Sequence, residues 1–389
     1  MSRKVLLSWE LSNRSGWGIL GLNLFCQWAA RADIIPVMVY RISDEAVALV
    51  DPLRRSVISK AIAASNDVSD AIERVPGSHL DFDGTVIDPI AQNGKPTRVF
   101  GKSNIGRCIF VSTNIGNFQV DKFDALLCAS TWNADVVRQG TGRSVDVILE
   151  GIDPSLFCPG PRSGILNPDK FYVFSGGKVE FRKGQDLVLR AFREFSRRHA
   201  DAVLVTAWHS PWPTLAARFK GTLEAPLELD ENGLVNIKKW AADNGIDPSR
   251  VIEIFLTPNQ LMPTLLREMH VALQPSRAEP CTNLIAMEAM ACGVPVIVGD
   301  NTGMRDLITD DNCVRLSRQE AVPPSSPTDG TVGWGESSVD EMVEALEMLH
   351  GDAKRREAIG VSGARWIREH LTWEIHAQKL KDLVLSLRG

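Results

Sequence analysis

Short runs of consecutive apolar residues alternate along this chain with longer stretches whose apolar residues recur at helical spacing. The first run, Lys4 to Trp9, leads into a turn-rich loop from Ser12 to Gly18 and then an apolar helical stretch ending near Ala30. Ile34 to Tyr40 reads as the next strand, with Cys108 to Thr113 and Lys122 to Ser130 as later ones and helical pattern between them. Runs that are apolar on successive positions predict parallel strands covered on both faces. Around VDVILEGIDPSLFCPGPRSG the pattern gives way to Pro154, Pro159, Gly160 and Pro161, which marks a linker. A second alternating series follows, with strands expected at FYVFSGG, Ala202 to Trp208, Arg250 to Leu256, Val271 to Ser276 and Val294 to Asp300. Two Rossmann-like halves follow from that count. Residues 322–338, rich in Pro, Ser and Gly, read as one exposed loop, and a last helix is expected from Trp373 to Leu387.

With 389 residues the chain exceeds what one core usually serves, so two domains and a cleft are expected. Charged residues make up 23% of the chain and are interleaved, with a formal net charge of −5. That balance gives no electrostatic footprint for nucleic acid, so no nucleic-acid partner is expected. The seven cysteines form no C-x-x-C pair and no zinc-spaced cluster, which suits a reducing compartment with no metal site. The chain starts directly on a strand-like segment without a signal-peptide pattern, so a cytoplasmic location is expected. The stretch WGILGLNLFCQWAA is too short to span a bilayer and carries Asn23 and Gln27, as a buried helix would. Peripheral membrane contact has no support in the sequence.

The most informative stretch is VALQPSRAEPCTNLIAMEAMACGVPVIVGD, in which a strand leads into a polar loop, a helix and another strand. Thr282 or Asn283 can cap the helix, Gly293 suits its left-handed C-terminal position, and Pro295 prevents continuation. The helix start therefore aims free N–H groups near Asn283 and Leu284 at the C-terminal edge of the sheet, a place suited to a diphosphate. Glu288 lies one turn past Leu284, where its carboxylate could meet ribose hydroxyls or simply be a solvated helix charge. Glu279 precedes the helix at the same edge. Cations come from FSGGKVEFRKGQDLVL, where Gly176 and Gly177 allow close backbone approach and Lys178, Arg182 and Lys183 follow. They read either as surface charges or as the groups that stabilise a leaving diphosphate. Cys281 reads as an inert thiol. Trp208, His209 and Trp212 follow a strand that ends at the cleft, so stacking on a ligand and core packing both fit.

Three of these segments together resemble glycosyltransferase family 4, the retaining enzymes of GT-B fold. VILEGIDPSLFCP resembles the family's interdomain segment, SGGKVEFRKGQDLVLRAF its phosphate loop, and EPCTNLIAMEAMACGVPVI its signature helix with paired glutamates. The resemblance implies an α/β fold of two Rossmann-like domains facing each other across a cleft. Residues 1–158 would bind the acceptor and residues 159–372 the donor, with the helix of 373–389 returning to the first domain. It further implies transfer of a sugar from a nucleoside diphosphate sugar to a carbohydrate, glycolipid or small-molecule acceptor, with retention of configuration and neither metal nor other cofactor. Glu279, Lys178 and Lys183 would then be catalytic, and Glu288, Thr282, Asn283, Leu284 and Gly177 would bind the donor. Relatives often place a glycine-rich loop after the first strand; here it is SNRSGWG, either an ordinary turn or a loop whose Gly16 and Gly18 close over the donor. Lys178 stands where many relatives have Arg. Eight residues instead of seven separate Glu279 from Glu288, so Pro280 holds the usual first position and Glu279 serves only through a bulge. Where a family His is expected, the chain offers Thr113 and Asn114, and the one His of this half is His79. A GT-B epimerase or phosphorylase and a non-catalytic binding subunit are the alternative readings.

Overall fold

The computed structural model describes residues 2–387 apart from 32, 78, 92–97, 117–119, 220, 325, 327 and 328. Its first half is a six-stranded parallel sheet of β1 (Arg3–Leu7), β2 (Ile34–Met38), β3 (Leu80–Ala91), β4 (Val99–Ile109), β5 (Ala125–Cys128) and β6 (Asp146–Val147), in the order β2-β1-β3-β4-β5-β6. Pro36, which has no N–H to give a ladder, sits in the edge strand β2, where its loss costs least. Among the described residues this half carries α1 (Gly16–Ala29), α2 (Asp44–Val47), α3 (Pro52–Glu73) and α4 (Thr131–Thr141). The side chain of Ser15 caps α1, and the core beneath it gathers Leu20, Leu24, Phe25 and Trp28 against Val5 and Leu7.

The second half repeats the plan with β7 (Phe171–Lys178), β8 (Ala202–His209), β9 (Val251–Glu253), β10 (Val271–Gln274), β11 (Val296–Gly299) and β12 (Val314–Leu316), ordered β12-β11-β10-β7-β8-β9 and parallel throughout. A small antiparallel pair, β13 (Gln319–Ala321) and β14 (Gly335–Ser337), stands beside it. The helices here are α5 (Gln185–Arg198), α6 (Pro213–Ala216), α7 (Ile237–Asp243), α8 (Met262–Leu266), α9 (Leu284–Ala291), α10 (Val339–Gly351) and α11 (Ala353–His370). Parallel strands need crossovers, and helices on both faces bury the near-continuous apolar strands. This is the GT-B arrangement of two Rossmann-like halves.

The last helix, α12 (Trp373–Ser386), packs on the first half: Trp373, Ala377, Leu380 and Val384 enter its core, and Trp28 Nε1 donates to the Ala377 carbonyl at 3.2 Å. The chain therefore passes between the halves twice, and the two passages run side by side. Ile152 N–H donates to Leu371 O at 2.9 Å and Trp373 N–H to Ile152 O at 3.1 Å. Gly151 lies so close that a Cβ there would come within 2.3 Å of the Thr372 carbonyl carbon.

Three sequence expectations need correction. Of the strand expected at Cys108 to Thr113 only Cys108 and Ile109 are strand, the end of β4, which begins at Val99, and β3 before it carries no apolar run long enough to announce itself. The strand expected from Arg250 to Leu256 is only the three residues of β9; Phe255 and Leu256 beyond it are exposed. The segment 322–338 is not a plain exposed loop, since Val322 and Ser337 are buried and β14 lies within it; residues 325, 327 and 328 fall outside the described set. This segment reaches the first half, where Thr113 N–H donates to Gly330 O at 2.9 Å and Trp334 Nε1 to Val111 O at 3.1 Å.

Candidate functional site

At the C-terminal end of β7 the chain turns through Gly177, with φ at +122°, and then through a 3-10 turn at Phe181–Lys183 that ends on Gly184, φ +70°. A side chain at Gly184 would meet both a left-handed backbone and the Pro275 carbonyl oxygen at 2.6 Å, so glycine is the residue that fits. This turn is pinned from beneath by Arg277. That guanidinium is fully buried, bonds Asp186 through two nitrogens at 2.9 and 2.7 Å, and donates to the Phe181 carbonyl at 2.7 Å. It also reaches Glu336 at 2.6 Å, and its backbone N–H donates to Arg182 O at 2.6 Å. A bidentate, fully satisfied ion pair of this kind fixes a turn that has little apolar contact of its own.

The turn delivers Lys183 and Arg182 to Glu279. Lys183 Nζ lies 2.6 Å from Glu279 Oε1, Arg182 Nη1 2.8 Å from Oε2, and Ser276 Oγ donates to Oε1 at 2.7 Å. Burial favours the neutral acid, but Lys183 and Arg182 outweigh it and hold the Glu279 carboxyl below its ordinary pKa. Burial, aided by Arg182, pulls Lys183 below its usual value against the opposing pull of Glu279. Lys178 stands apart from this trio: it is partly exposed, pairs with Glu180 at 3.0 Å and lies 5.1 Å from the Trp212 ring. Arg182 joins the two groups through Glu180 at 2.7 Å. Three cations and two carboxylates thus leave a net positive charge. Arg182, which the sequence offers among the loop's cations, is the member that contacts both Glu180 and Glu279.

Helix α9 starts next to this cluster. Asn283 is its cap, accepting from Ala286 N–H at 3.3 Å, while Thr282 is not: the Thr282 hydroxyl points to Met287 Sδ at 3.0 Å. The N–H groups of Leu284 and Ile285 have no carbonyl partner within the helix, as at any helix start. Asn283 and Thr302 are the non-glycine residues with positive φ among those described, at 64° and 41°. Thr302 adjoins Glu279, whose N–H donates to Thr302 Oγ1 at 2.8 Å. Such backbone is strained and persists where surroundings over-determine it, commonly at ligand sites. Glu279 therefore reaches the cations despite the extra residue before Glu288, with its oxygens directed at Lys183, Arg182 and Ser276.

Glu288 is the opposite kind of carboxylate. It is 2% exposed, so it is no solvated helix charge. Its Oε1 accepts from Asn259 Nδ2 at 2.5 Å, and Oε2 has no partner among the described residues. Burial raises its pKa to about 8, against the weaker effect of the Asn259 hydrogen bond. The loop carrying Asn259 also meets the first half, since Asn259 N–H donates to Asn13 O at 2.7 Å. Asn13 belongs to SNRSGWG, whose Gly16 opens α1 only 3.9 Å, measured from a notional Cβ, from Leu284. Gly18 is required by packing, because a Cβ there would fall 2.3 Å from Ser12 Cβ. The starts of α1 and α9 thus face each other across the cleft.

Other candidates lie elsewhere. His79 is exposed, stacked on Phe100 at 4.5 Å and bonded to Asp81, at the N-terminal end of β3 and so at the sheet edge away from the cleft. Thr113 bonds across to Gly330, and Asn114 N–H donates to Ser112 Oγ at 3.1 Å. Trp208 is core, bonded to Ser175 Oγ and packed on Trp240. Burial pushes the Cys281 thiol well above its usual pKa, as an inert thiol requires. Sequence reasoning missed Arg107 and Glu150. Arg107, at the end of β4, is fully buried, touches Glu150 at 3.4 Å and leaves Nε and Nη1 without partners among the described residues. The signal was a charge inside each of the apolar runs GRCIF and VILEGI.

A family model described as glycosyl transferases group 1 matches residues 161–363, just over half of the chain and all of the phosphate-loop and α9 region. The chain belongs to this family. Among curated group 1 relatives, a GDP-mannose-dependent alpha-(1-6)-phosphatidylinositol monomannoside mannosyltransferase of Mycolicibacterium smegmatis is 24% identical over 266 residues, 64% of this chain and 58% of that protein. D-inositol 3-phosphate glycosyltransferase 1 of Catenulispora acidiphila is 30% identical over 169 residues, 42% of this chain and 37% of that one. The chain thus spans little more than half the length of the first relative and less of the second. Solved structures share the fold: sucrose-phosphate synthase from Thermosynechococcus elongatus superposes with a TM-score of 0.64 at 14% identity, covering 98% of each chain. The Anabaena HepE protein, solved with UDP and glucose, gives 0.61 at 12% identity over 99% of this chain and 100% of that one. Among the described residues no helix of this group 1 protein is long and apolar enough to cross a membrane.

Proposed function

We propose that this chain transfers a glycosyl group from a nucleoside diphosphate sugar to a hydroxyl acceptor, with retention of anomeric configuration and no metal or other cofactor at the reaction centre. The observation that carries this is the convergence of Lys183 and Arg182 beside the start of α9, at the C-terminal edge of the sheet. The bond from the anomeric carbon to the diphosphate oxygen breaks, and the acceptor oxygen bonds to that carbon on the same face. The acceptor's proton passes to an oxygen of the departing diphosphate. Lys183, Arg182 and the Leu284 and Ile285 N–H groups meet the charge that develops there, each worth a few kcal/mol in a site with little water. Lys178 guards the outer side of the loop. The open Oε2 of Glu288 accepts a ribose hydroxyl, and Glu279 holds the cations and fixes the sugar beside them.

The acceptor meets the donor from the first half, across SNRSGWG. Two relatives carry inositol in their names, so we take an inositol-containing glycolipid or inositol phosphate as the first acceptor class to try, and GDP-mannose as the first donor. The seven unpaired cysteines suit a cytoplasmic setting, and a lipid acceptor would be reached by peripheral contact. The test is a binding screen of guanosine, uridine and adenosine diphosphate sugars, then turnover with the bound donor and NMR of the product anomer. A retained anomer supports the reading. An inverted product, an epimerised donor without acceptor, or binding with no turnover across the acceptor panel would each overturn it.

A further inference from the structure

We infer that His199, Asp201 and His350 form a binding site for a divalent transition-metal ion of the zinc class, at the end of the second sheet opposite the cleft. One ligand atom from each of His199, Asp201 and His350 lies within 4.8 Å of those of the other two. Glu347 Oε2 stands 2.6 Å from His199 Nε2 and orients that ring, while His350 Nε2 is 2.8 Å from Asp201 Oδ2. The two imidazole rings face each other at 4.1 Å between centroids.

The donors come from three elements that the fold holds in place. His199 ends α5, Asp201 immediately precedes β8, and Glu347 and His350 lie one turn apart near the end of α10. Ala202 N–H donates to His199 O at 3.2 Å and Phe171 N–H to Asp201 O at 2.9 Å, so the backbone beneath the site is already fixed. Phe195, 4.5 Å from the His199 ring, and Phe171, 4.8 Å from that of His350, shield one side from water. Glu347 Oε1 is buried and lies 3.0 Å from Arg198 Nε, outside hydrogen-bonding geometry.

Two imidazoles and one carboxylate supply nitrogen and oxygen donors, and solvent completes the shell of a divalent ion. That set suits zinc and its neighbours better than magnesium or calcium, which take oxygen ligands. A tetrahedral ion with bonds near 2.1 Å keeps its ligand atoms about 3.4 Å apart. The widest pair among His199, Asp201 and His350 then has to close by no more than about 1.4 Å, within reach of side-chain rotation. Strand β7 separates this site from the phosphate loop by about 23 Å. The ion is therefore a clamp joining α5, β8 and α10, independent of sugar transfer.

The test is calorimetric titration of zinc chloride into the chelator-treated full chain, with thermal melts at rising free zinc. The expected result is one ion per chain with Kd of about 1 μM or tighter, and a melting temperature that climbs with free zinc. His199→Ala/His350→Ala, checked for folding by circular dichroism, should lose binding at least tenfold. The isosteric Asp201→Asn should weaken it likewise. Absence of a stoichiometric site would overturn the inference, as would binding that survives both variants. With cobalt in place of zinc, a spectrum free of thiolate charge transfer is expected; thiolate bands would assign the ion to cysteines and sink the proposal.

Discussion

Arg277 in the second half and Arg107 in the first are both fully buried, yet they are supported in opposite ways. Arg277 has two nitrogens on Asp186, one on Glu336 and a backbone carbonyl, with its plane 4.1 Å from the Phe181 ring. Arg107 has one contact of 3.4 Å to Glu150, the Trp17 ring at 5.9 Å, and two nitrogens left over. Nearby, burial and Arg107 press the pKa of His376 down to about 3, so its ring stays neutral; Nδ1 bonds Leu149 O while Nε2 has no partner among the described residues. The difference separates a finished support from an open one. Around Arg277 each buried charge is matched, whereas the junction near Arg107 keeps buried polar capacity in reserve.

The comparison breaks or sharpens in four experiments. Arg277→Ala should cost about 3–5 kcal/mol in urea unfolding, because Asp186 would be left charged and buried, and it should also abolish transfer. A cost no greater than that of Arg107→Ala would erase the contrast. Lys183→Ala should lower kcat by about 10²–10³-fold while circular dichroism stays unchanged; near-normal turnover would remove the leaving-group role.

Glu288 supplies a pH test. Its folded pKa of about 8 lies above the ordinary 4.5, so its contribution to stability is full below pH 4.5 and is lost as pH rises through 8. Ribose hydroxyls bonding to the ionised form would lower that pKa and expel a proton. Donor affinity should then rise by up to about tenfold per pH unit between 6 and 8 and level off above. Calorimetry on Glu288→Gln should give a flat profile; a slope that persists would place the proton elsewhere. The smallest effect is expected of Arg107→Leu/Glu150→Leu, which should shift unfolding by less than about 1 kcal/mol, since loosely satisfied buried pairs return little of their desolvation cost. A large loss there would show that Arg107 is better supported than its contacts indicate.

Much of the second half was legible because its signals are local. The helix start at Thr282 or Asn283 and the left-handed Gly293 are each settled within a few residues. In the first half, β3 hid behind Asp81, Asp83, Gly84 and Pro89, whose strand character comes from neighbours on both sides. Arg107 lay just before the strand expected at Cys108, and its partner is 43 residues away. Pairings at that range leave no periodicity. The same holds for Glu288: its position on the helix was readable, but its burial depends on Asn259, and the missing partner of Oε2 is a property of the folded state alone. Glu279 was placed correctly in the loop, while its double engagement with Lys183 and Arg182 came only from packing the 3-10 turn against residues 275–279.

The paired passages at Ile152 and Thr372 have a mechanical meaning. Two chains joined by hydrogen bonds on both flanks of Ile152 resist twisting about each other far more than a single tether would. The pairing holds the two halves in one relative orientation, the one that sets Gly16 opposite Leu284. Precision of fit between the halves is thereby set in part at this spine, and Gly151 is the residue whose smallness lets it close.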